Sequence, residues 1–367
     1  MGTGDEIPAR VSGLPDNTPT VSVVIPAYNA APYIAAALGS VFTQTLCCSE
    51  VFVVNDGSPD TPALEAALQP YRSRIHYIQQ ENRGPSGARN AAIGSASGKY
   101  VAFLDSDDLW LPKHLSMQVS FLEANPSCQL VYANGVFLRG DVPVGVLFDS
   151  TPQSLPTDFE GLLRERSTVI TSSTVVARQA LLEVGLFDEQ FRRCEDYDLW
   201  LRLSHAGIGF SFTREIQICH RLGNGLASSN ELMKQALIQV YEKHLRAATL
   251  TQEQAGFVRK KIRNISAAIE YQRAKQALLG GEFPEALQSM LKAQTSVPSW
   301  KLAFAQVGLR RFPHLLQTLY RIHLRRVERQ AKARSSRSLK NAGFEGLITV
   351  TKNVADPALP LGDHSRC

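Results

Sequence analysis

The sequence predicts an α/β fold, in which a mostly parallel sheet is flanked by helices and followed by an α-helical C-terminal extension. Between residues 21 and 133, strand-length apolar runs alternate with segments of helical spacing, which is typical of βαβ units. The runs are nearly continuous in apolar residues, as in strands that are covered on both faces. From about residue 230 onward only helical patterns remain.

Each predicted element has its own local signal. The first run is β-branched and ends at Pro26, and Pro32 suits the first turn of the helix that follows. The predicted strands are 21–25, 51–55, 75–79, 99–104 and 128–133. The predicted helices are 32–44, 61–70, 85–95 and 112–124. Shorter predicted strands are 136–139, 144–148, 208–212 and 216–219, and shorter helices are 158–164, 178–184 and 196–205.

Four parts make up the predicted domain organisation. Residues 1–20 form a disordered lead-in, 21–228 an α/β domain, 229–340 a helical region with a basic end, and 341–367 a disordered tail. Within the helical region, 271–298 resembles one tetratricopeptide-like hairpin. Because such an array needs about three units, a plain helical extension is expected instead.

The positive charge of the chain is concentrated near its C-terminus. The net charge is +5, yet residues 308–340 alone hold ten Lys and Arg against one Glu, so the remainder is mildly acidic. This distribution argues against a nucleic-acid-binding body. The stretch 309–340 also carries Leu, Tyr and Ile, so it is either a basic amphipathic helix on an anionic membrane or a solvated helix packed on the body.

The chain is expected to be cytoplasmic. Its first 20 residues lack the apolar core of a signal peptide, and no run approaches 18 apolar residues. This expectation leaves peripheral contact with the inner face of the plasma membrane open.

Polar residues cluster where the predicted strands end, and ligands of open α/β sheets bind at the carboxyl ends of strands. The clusters are Pro26-Ala27-Tyr28-Asn29, Asn55-Asp56-Gly57-Ser58, the segment 82–90 and Asp105-Ser106-Asp107-Asp108. Three carboxylates within four residues repel one another and favour a bound divalent cation. A solvated turn or a helix cap is the structural alternative for the same aspartates.

Three further segments each have a functional and a structural interpretation. Asp56 is either a turn residue or an acceptor for the ring N–H of a base. The basic, Gly-rich segment 83–90 opens a helix, which suits an anion. In Cys194–Arg202, the acidic residues either stabilise a helix N-terminus or supply a general base such as Asp196.

Six segments in order resemble the inverting family 2 glycosyltransferases, which have the GT-A fold. They are PAYN, VNDGS, NRGPSGARN, FLDSDD, GLFDE and CEDYDLWLR, spanning about residues 20–225. The resemblance implies a metal-dependent hexosyltransferase with a DXD motif, which moves a sugar from a nucleotide-diphosphate sugar to an acceptor hydroxyl. UDP is the expected nucleotide, and cell-surface polysaccharide or glycolipid synthesis is the expected process.

The resemblance also implies roles for individual residues. Asp196 would be the catalytic base, and Asp107 would hold Mn²⁺ or Mg²⁺. The acceptor side would include Glu195, Trp200 and Ser172. The nucleotide and diphosphate would contact Pro26, Ala27, Tyr28, Asn29, Asp56, Gly57, Arg83, Gly87, Arg89, Asn90, Asp105, Ser106 and Asp107.

One departure from the family pattern concerns the metal site. Many relatives carry Arg-x-His after the last core strand, whereas here Gly223 stands at the position of the His. Either His220 or Arg221 would then substitute, or a flexible loop would bring another group. A non-catalytic nucleotide-sugar-binding or scaffolding relative therefore stays an alternative. A sugar-nucleotide pyrophosphorylase is disfavoured, because it would need a GxGTR-like loop where this chain has PAYN.

Overall fold

The computed structural model describes residues 21–151, 153, 155, 157–222 and 230–326. These residues form two compact units, one containing 21–222 and the other 230–326. The predicted lead-in (1–20), the predicted tail (341–367), the predicted boundary at 228 and the last part of the predicted basic stretch (327–340) lie outside the described residues.

The first unit holds one sheet, and helices connect most of its strands along the chain. Its strands are β1 (Val21–Ala27), β2 (Glu50–Asp56), β3 (His76–Gln80), β4 (Tyr100–Phe103), β5 (Leu109–Trp110), β6 (Cys128–Arg139), β7 (Val142–Val146), β8 (Thr174–Ala177) and β9 (Gly209–Arg221). Its helices are α1 (Ile34–Phe42), α2 (Thr61–Leu68), α3 (Gly84–Ser95), α4 (His114–Ala124), α5 (Leu147–Ser150), α6 (Phe159–Leu163), α7 (Arg178–Glu183) and α8 (Glu195–His205). Short 3₁₀ turns lie at Gln69–Arg74 and Thr171–Ser173.

The strands follow the order β3-β2-β1-β4-β8-β6-β9-β5, and β7 pairs with the outer part of β6. Neighbours from β3 to β4 run parallel, as do β6 and β9. β8 is antiparallel to both β4 and β6. The predicted α/β class with a mostly parallel sheet is therefore confirmed.

Two pairs of predicted strands are continuous in the structure. The predicted strands 128–133 and 136–139 form β6, and 208–212 and 216–219 form β9. Asn134 interrupts the apolar run of β6, but its side chain donates to the Arg214 carbonyl (3.0 Å) and accepts from the Phe148 N–H (3.0 Å). The pairing of β6 with β9 shifts its register at this residue instead of ending.

Two strands escaped prediction, and one predicted strand was partly wrong. β5 has only two residues, and the apolar run within the four residues of β8 is only Val175–Ala177. The predicted strand 144–148 ends at Val146 in β7, and Leu147 begins the short helix α5. Leu147 is completely buried, so its apolar side chain belongs to the core without belonging to the sheet.

The core of the first unit surrounds the central strands. In β1, Val21, Val23, Val24 and Ile25 are all 0% exposed, because helices cover both faces of this strand. Burial of such side chains contributes about 1.5–3 kcal/mol each. This rigid centre fixes the positions at which the strands end.

The second unit is helical. Its helices are α9 (Asn230–Arg246), α10 (Gln252–Gly280), α11 (Phe283–Ser296), α12 (Trp300–Arg311) and a further helix over 313–326. Thr251 and Gln254 form a reciprocal capping box at the start of α10, and Gly281 ends that helix at a φ of +83°. The α10–α11 hairpin buries Ala274 and Ala286. Among the described residues, no helix is both long and apolar enough to span a bilayer.

Candidate active site

The predicted polar clusters meet at one edge of the sheet, because β1, β2, β3 and β4 run parallel. Ala27 at the end of β1 pairs with Asn55 in β2, and Asp56 pairs with Gln80 in β3. The segments 26–29, 55–58 and 82–90 therefore lie beside one another. The Asp105–Asp108 segment follows β4 on the other side of β1.

The loop after β1 is open to solvent. Pro26 is partly buried and Ala27 is fully buried, whereas the Tyr28 side chain is 51% exposed. Asn29 has a φ of +53°, and its N–H donates to the Ser58 hydroxyl at 2.7 Å. The loops after β1 and β2 are thereby joined, and an aromatic ring is left at their surface.

Asp56 is buried and caps helix α3. Its carboxylate accepts hydrogen bonds from the N–H groups of Arg83 (2.8 Å) and Gly84 (2.7 Å) and from the Gln80 amide (2.7 Å). A carboxylate at a helix N-terminus is stabilised by the orphan N–H groups and the helix dipole. The structure thus gives Asp56 a positioning role that the sequence did not indicate, and its contact with a base stays a prediction.

Two glycines allow close approaches in this region. Gly57 has a φ of +60°, and a Cβ there would lie 2.8 Å from the backbone N of Asn82. A Cβ on Gly87 would lie 2.4 Å from the Cβ of Arg83. Gly57 thus lets the loop after β2 approach the segment 82–90, and Gly87 leaves room for the Arg83 side chain within that segment.

Arg83 and Asn90 connect helix α3 to the Phe187–Glu189 segment. The Arg83 guanidinium makes a two-point contact with the Glu189 carboxylate, with Nε and Nη2 at 3.0 and 2.6 Å. The Asn90 amide donates to the Phe187 carbonyl (2.9 Å) and accepts from the Phe187 N–H (3.0 Å). These contacts explain why the GLFDE segment accompanies the NRGPSGARN segment, and they identify Glu189 as a residue that the sequence assignment missed.

Arg89 connects two acidic segments. Nη2 lies 2.7 Å from Asp105 Oδ1 and Nη1 lies 2.7 Å from Glu195 Oε1, with the Arg89 side chain 5% exposed. Its guanidinium also lies 5.3 Å from the centre of the Phe187 ring. Burial by itself would lower the pKa of Arg89, but the two carboxylates raise it above its ordinary value, so the cation is permanent. Both terminal nitrogens are occupied, so this side chain is built to position carboxylates.

Asp196 is held by its neighbours at the start of α8. Its Oδ2 accepts from the Thr171 hydroxyl at 2.9 Å, and its Oδ1 accepts from the N–H of Tyr197 at 2.7 Å. Burial raises the pKa of Asp196, while Arg89 and the Thr171 hydrogen bond oppose that rise. A carboxylate with a raised pKa is a stronger base. Cys194, at a φ of +56°, turns the chain into the helix just before this residue.

Ser172 and Trp200 lie in the core, whereas the resemblance placed them on the acceptor side. Ser172 is 0% exposed; its hydroxyl accepts from the Asp105 N–H at 3.0 Å and its carbonyl accepts from the Trp110 indole at 2.7 Å. Trp200 is 1% exposed and its ring meets Phe187 edge-on. Both residues therefore support the site by packing, and their contribution to the shape of the acceptor side stays a prediction.

The Asp105–Asp108 segment forms a turn, with the Asp108 N–H donating to the Asp105 carbonyl at 3.0 Å across Ser106. Burial, and then repulsion from Asp108 and Asp105, raises the pKa of Asp107 to about 7. Such mutual repulsion is relieved by a divalent cation, which prefers carboxylate oxygen. The described residues hold no group of three or more acidic, His or Cys side chains arranged as a complete site. The Asp107 carboxylate has the chemistry of one ligand of such an ion, and its role as a ligand stays a prediction.

His220 pairs with an aspartate. Its Nδ1 lies 2.9 Å from Asp108 Oδ2, and Asp108 also accepts from the Arg221 N–H at 2.8 Å. Burial lowers the pKa of His220, but Asp108 outweighs burial and raises it to about 9. Asp108 thus favours the protonated ring, and His220 as a metal ligand stays a prediction. Gly223, at the departure from the family pattern, lies outside the described residues.

Comparisons with known proteins agree with this geometry. Residues 22–165 match the family model described as "Glycosyl transferase family 2". The Escherichia coli protein WfgD, named a UDP-Glc:alpha-D-GlcNAc-diphosphoundecaprenol beta-1,3-glucosyltransferase, is 34% identical over 218 residues, which are 58% of this chain and 80% of that protein. WfaP of Escherichia coli, of the same named activity, is 30% identical over 59% of this chain and 84% of its own length.

Other relatives share only part of their length with this chain. An uncharacterised glycosyltransferase of Rickettsia bellii is 35% identical over 193 residues, which are 50% of this chain but 27% of that protein. Similar proteins of Rickettsia felis and Rickettsia conorii are matched over 31% and 30% of their lengths. The chain thus spans about a third or less of these three relatives.

Solved structures share the fold at low sequence identity. S. aureus TarS, residues 1–349, in complex with UDP-GlcNAc, aligns with a TM-score of 0.55 at 18% identity and covers 83% of this chain and 92% of its own. The mannosyltransferase PcManGT of Pyrobaculum calidifontis, in complex with GDP-Man and Mn²⁺, aligns with a TM-score of 0.51 at 19% identity over 84% of this chain and 87% of its own. Together with the matched relatives, the ordered strand-end segments place this chain in glycosyltransferase family 2.

Proposed function

We propose that this protein transfers a sugar from a nucleotide-diphosphate sugar to an acceptor hydroxyl, with inversion at the anomeric carbon. The observation that carries the proposal is the buried Arg89, which contacts Asp105 on the donor side and Glu195 beside Asp196. The Arg89 cation thus fixes Asp105 relative to Glu195. The residue that follows Glu195 is Asp196, a carboxylate with a raised pKa.

In the proposed reaction, Asp196 accepts the proton of the acceptor hydroxyl while the oxygen of that hydroxyl attacks the anomeric carbon. The bond from that carbon to the diphosphate breaks, and its electron pair leaves with the diphosphate. Attack from the face opposite the leaving group inverts the configuration. Thr171, through its 2.9 Å hydrogen bond, orients the Asp196 carboxylate for this proton transfer.

A divalent metal ion, Mn²⁺ or Mg²⁺, belongs to the proposal, with Asp107 as its protein ligand. When bound, such an ion neutralises charge on the leaving diphosphate. The mutual repulsion of Asp105, Asp107 and Asp108 supports this assignment, and PcManGT is a fold neighbour with bound Mn²⁺.

The proposed donor is a UDP-sugar, and the proposed acceptor is a glycolipid. WfgD and WfaP are named for UDP-Glc and for a diphosphoundecaprenol-linked acceptor, and TarS is a fold neighbour with bound UDP-GlcNAc. Such an acceptor places the reaction in polysaccharide or glycolipid synthesis. It would also bring the chain to the inner face of the plasma membrane. A cytoplasmic location and membrane contact through 309–340 are therefore part of the proposal.

The test combines donor binding with product stereochemistry. Thermal unfolding of the purified protein is followed with UDP-, GDP- and dTDP-sugars, each with and without Mn²⁺, since a ligand of the native state raises Tm. We expect the largest rise with a UDP-sugar and Mn²⁺. The product formed on a short-chain polyprenyl-diphosphate sugar is then examined by NMR, and an α-linked donor should give a β-linked product. Binding without transfer to this acceptor or to water would favour a non-catalytic relative, and an α-linked product would contradict inversion.

A further inference from the structure

The second unit carries a row of exposed apolar side chains on each of its last two described helices. On α12, Trp300, Phe304 and Val307 are 76%, 76% and 58% exposed. On the helix 313–326, Leu315, Leu319 and Ile322 are 57%, 55% and 58% exposed. We call these six residues the outer apolar face.

The spacing of the three residues in each helix shows that they lie on one side of that helix. In both helices the three residues follow the pattern i, i+4, i+7, which places them on one side. The opposite side of each helix is already used, because Leu309 on α12 is 3% exposed and Leu316 and Tyr320 pack against the α10–α11 cluster. The outer apolar face is therefore additional to the core contacts of these helices.

The charged side chains of residues 300–326 have a single sign. Residues 300–326 contain Lys301, Arg310, Arg311, Arg321, Arg325 and Arg326 and no Asp or Glu, and all six cations are exposed. Pairing the face with a second copy of this chain would bring six cations against six, with no carboxylate in this stretch to neutralise them. An anionic bilayer satisfies both features, because apolar side chains enter the acyl boundary while Lys and Arg meet the headgroups.

We propose that the outer apolar face, together with the cations of the same two helices, is a peripheral docking surface for an anionic lipid membrane. This deepens the proposed function, since it rests on the acceptor being membrane-borne, and it extends the predicted contact, which began at residue 309, to a surface that begins at Trp300. An interfacial helix has an apolar face, a cationic polar face and aromatic residues at the boundary. Trp300 and Phe304 supply that boundary on α12.

The native tryptophans provide a direct reporter. The chain has three Trp, and Trp110 and Trp200 are 0% and 1% exposed. Only Trp300 can meet lipid. On binding vesicles of phosphatidylcholine and phosphatidylglycerol, we expect its emission to shift to the blue and to be quenched by brominated lipid. Binding to vesicles of phosphatidylcholine alone should be at least about tenfold weaker, because cations gain affinity from an anionic surface.

Substitutions that leave the net charge unchanged test whether the apolar side chains of the face are needed for vesicle binding. The triple variant Leu315→Gln, Leu319→Gln, Ile322→Gln keeps helix propensity and should lower vesicle partitioning about tenfold or more, because it removes three apolar side chains from the interface. The matched control, Leu182→Gln with Leu291→Gln, changes leucines that are 39% and 40% exposed elsewhere and should bind as the native chain does. Unchanged binding of the triple variant, or vesicle binding with no quenching, would overturn the proposal.

Self-association and loss of activity are distinguished in the same experiment. Sedimentation without lipid measures the oligomeric state, and a dimer that the triple variant dissociates would assign the face to a second copy and overturn the membrane assignment. Transfer to a short-chain soluble acceptor should be equal in the native and triple-variant proteins. If transfer is absent while vesicle binding persists, the proposed function fails and the membrane surface stands.

Discussion

Arg89 Nη1 lies 2.7 Å from Glu195 Oε1, although 106 residues separate the two in the chain. The Arg89 side chain is 5% exposed and its Nη2 also contacts Asp105 at 2.7 Å. This contact joins the helix after β3 to the first residue of α8. The residue after Glu195 is Asp196, so the geometry of the proposed base depends on a buried cation.

Replacing Arg89 should destabilise the fold and the site together. Arg89→Met leaves the Asp105 and Glu195 carboxylates without their partner, and breaking a buried ion pair in this way costs about 3–5 kcal/mol. Arg83→Met is the matched control, because its pair with Glu189 is half exposed and exposed pairs contribute only about 0–1 kcal/mol. Urea unfolding of both variants measures the difference. Equal losses of unfolding free energy would show that the Arg89 contacts stabilise the fold no more than the half-exposed pair of Arg83 with Glu189.

Thr171 should tune the pH dependence of transfer. Its hydroxyl donates to Asp196 and lowers the pKa of that carboxylate, so Thr171→Val should raise that pKa. A base acts only when deprotonated, so the fall of kcat/KM on the acidic side should move to higher pH. Thr171→Ser keeps the donor and should leave the acidic limb in place. A profile unchanged in the Val variant would remove Asp196 from the role of the titrating base.

Two glycines of the same helix should respond in opposite directions. In α3, an added Cβ at Gly87 would lie 2.4 Å from the Cβ of Arg83, whereas an added Cβ at Gly94 meets nothing within 4 Å. Gly87→Ala should therefore cost about 1–3 kcal/mol of unfolding free energy through overpacking. Gly94→Ala should instead stabilise by up to about 1 kcal/mol, because Ala is the better helix former. Thermal unfolding of the two variants decides, and stabilisation by both would refute the close approach.

Asp107 should control the response to divalent ions. Asp107→Ala is expected to abolish stimulation by Mn²⁺ and to lower transfer about a hundredfold or more, because stabilisation of the leaving diphosphate is lost. Asp149→Ala removes an exposed carboxylate of the same unit and serves as the control for net charge. Titration of Mn²⁺ against initial rate tests this. An intact metal response in the Asp107 variant would exclude it as a ligand.

Local patterns predict the sheet better than they predict the site. Strands β1, β2 and β4 are apolar runs whose burial is visible in the residues themselves, whereas the apolar run of β8 is only Val175–Ala177, after the polar residues Thr171–Thr174. At the site, the residue types could be predicted, but not their partners. Ser172 and Trp200 are buried because contacts distant in sequence, such as the bond from Trp110 to the Ser172 carbonyl, determine which way they face.

The central claim is that Asp196 is the base of a sugar transfer, and Asp196→Asn tests it most directly. The substitution keeps the size of the side chain but removes the proton acceptor. Transfer should fall about 10²- to 10⁴-fold, while the Kd of the UDP-sugar with Mn²⁺, measured by calorimetry, should stay near the native value. Native rates of transfer, or lost donor binding with no loss in the rate of transfer from bound donor, would contradict the account.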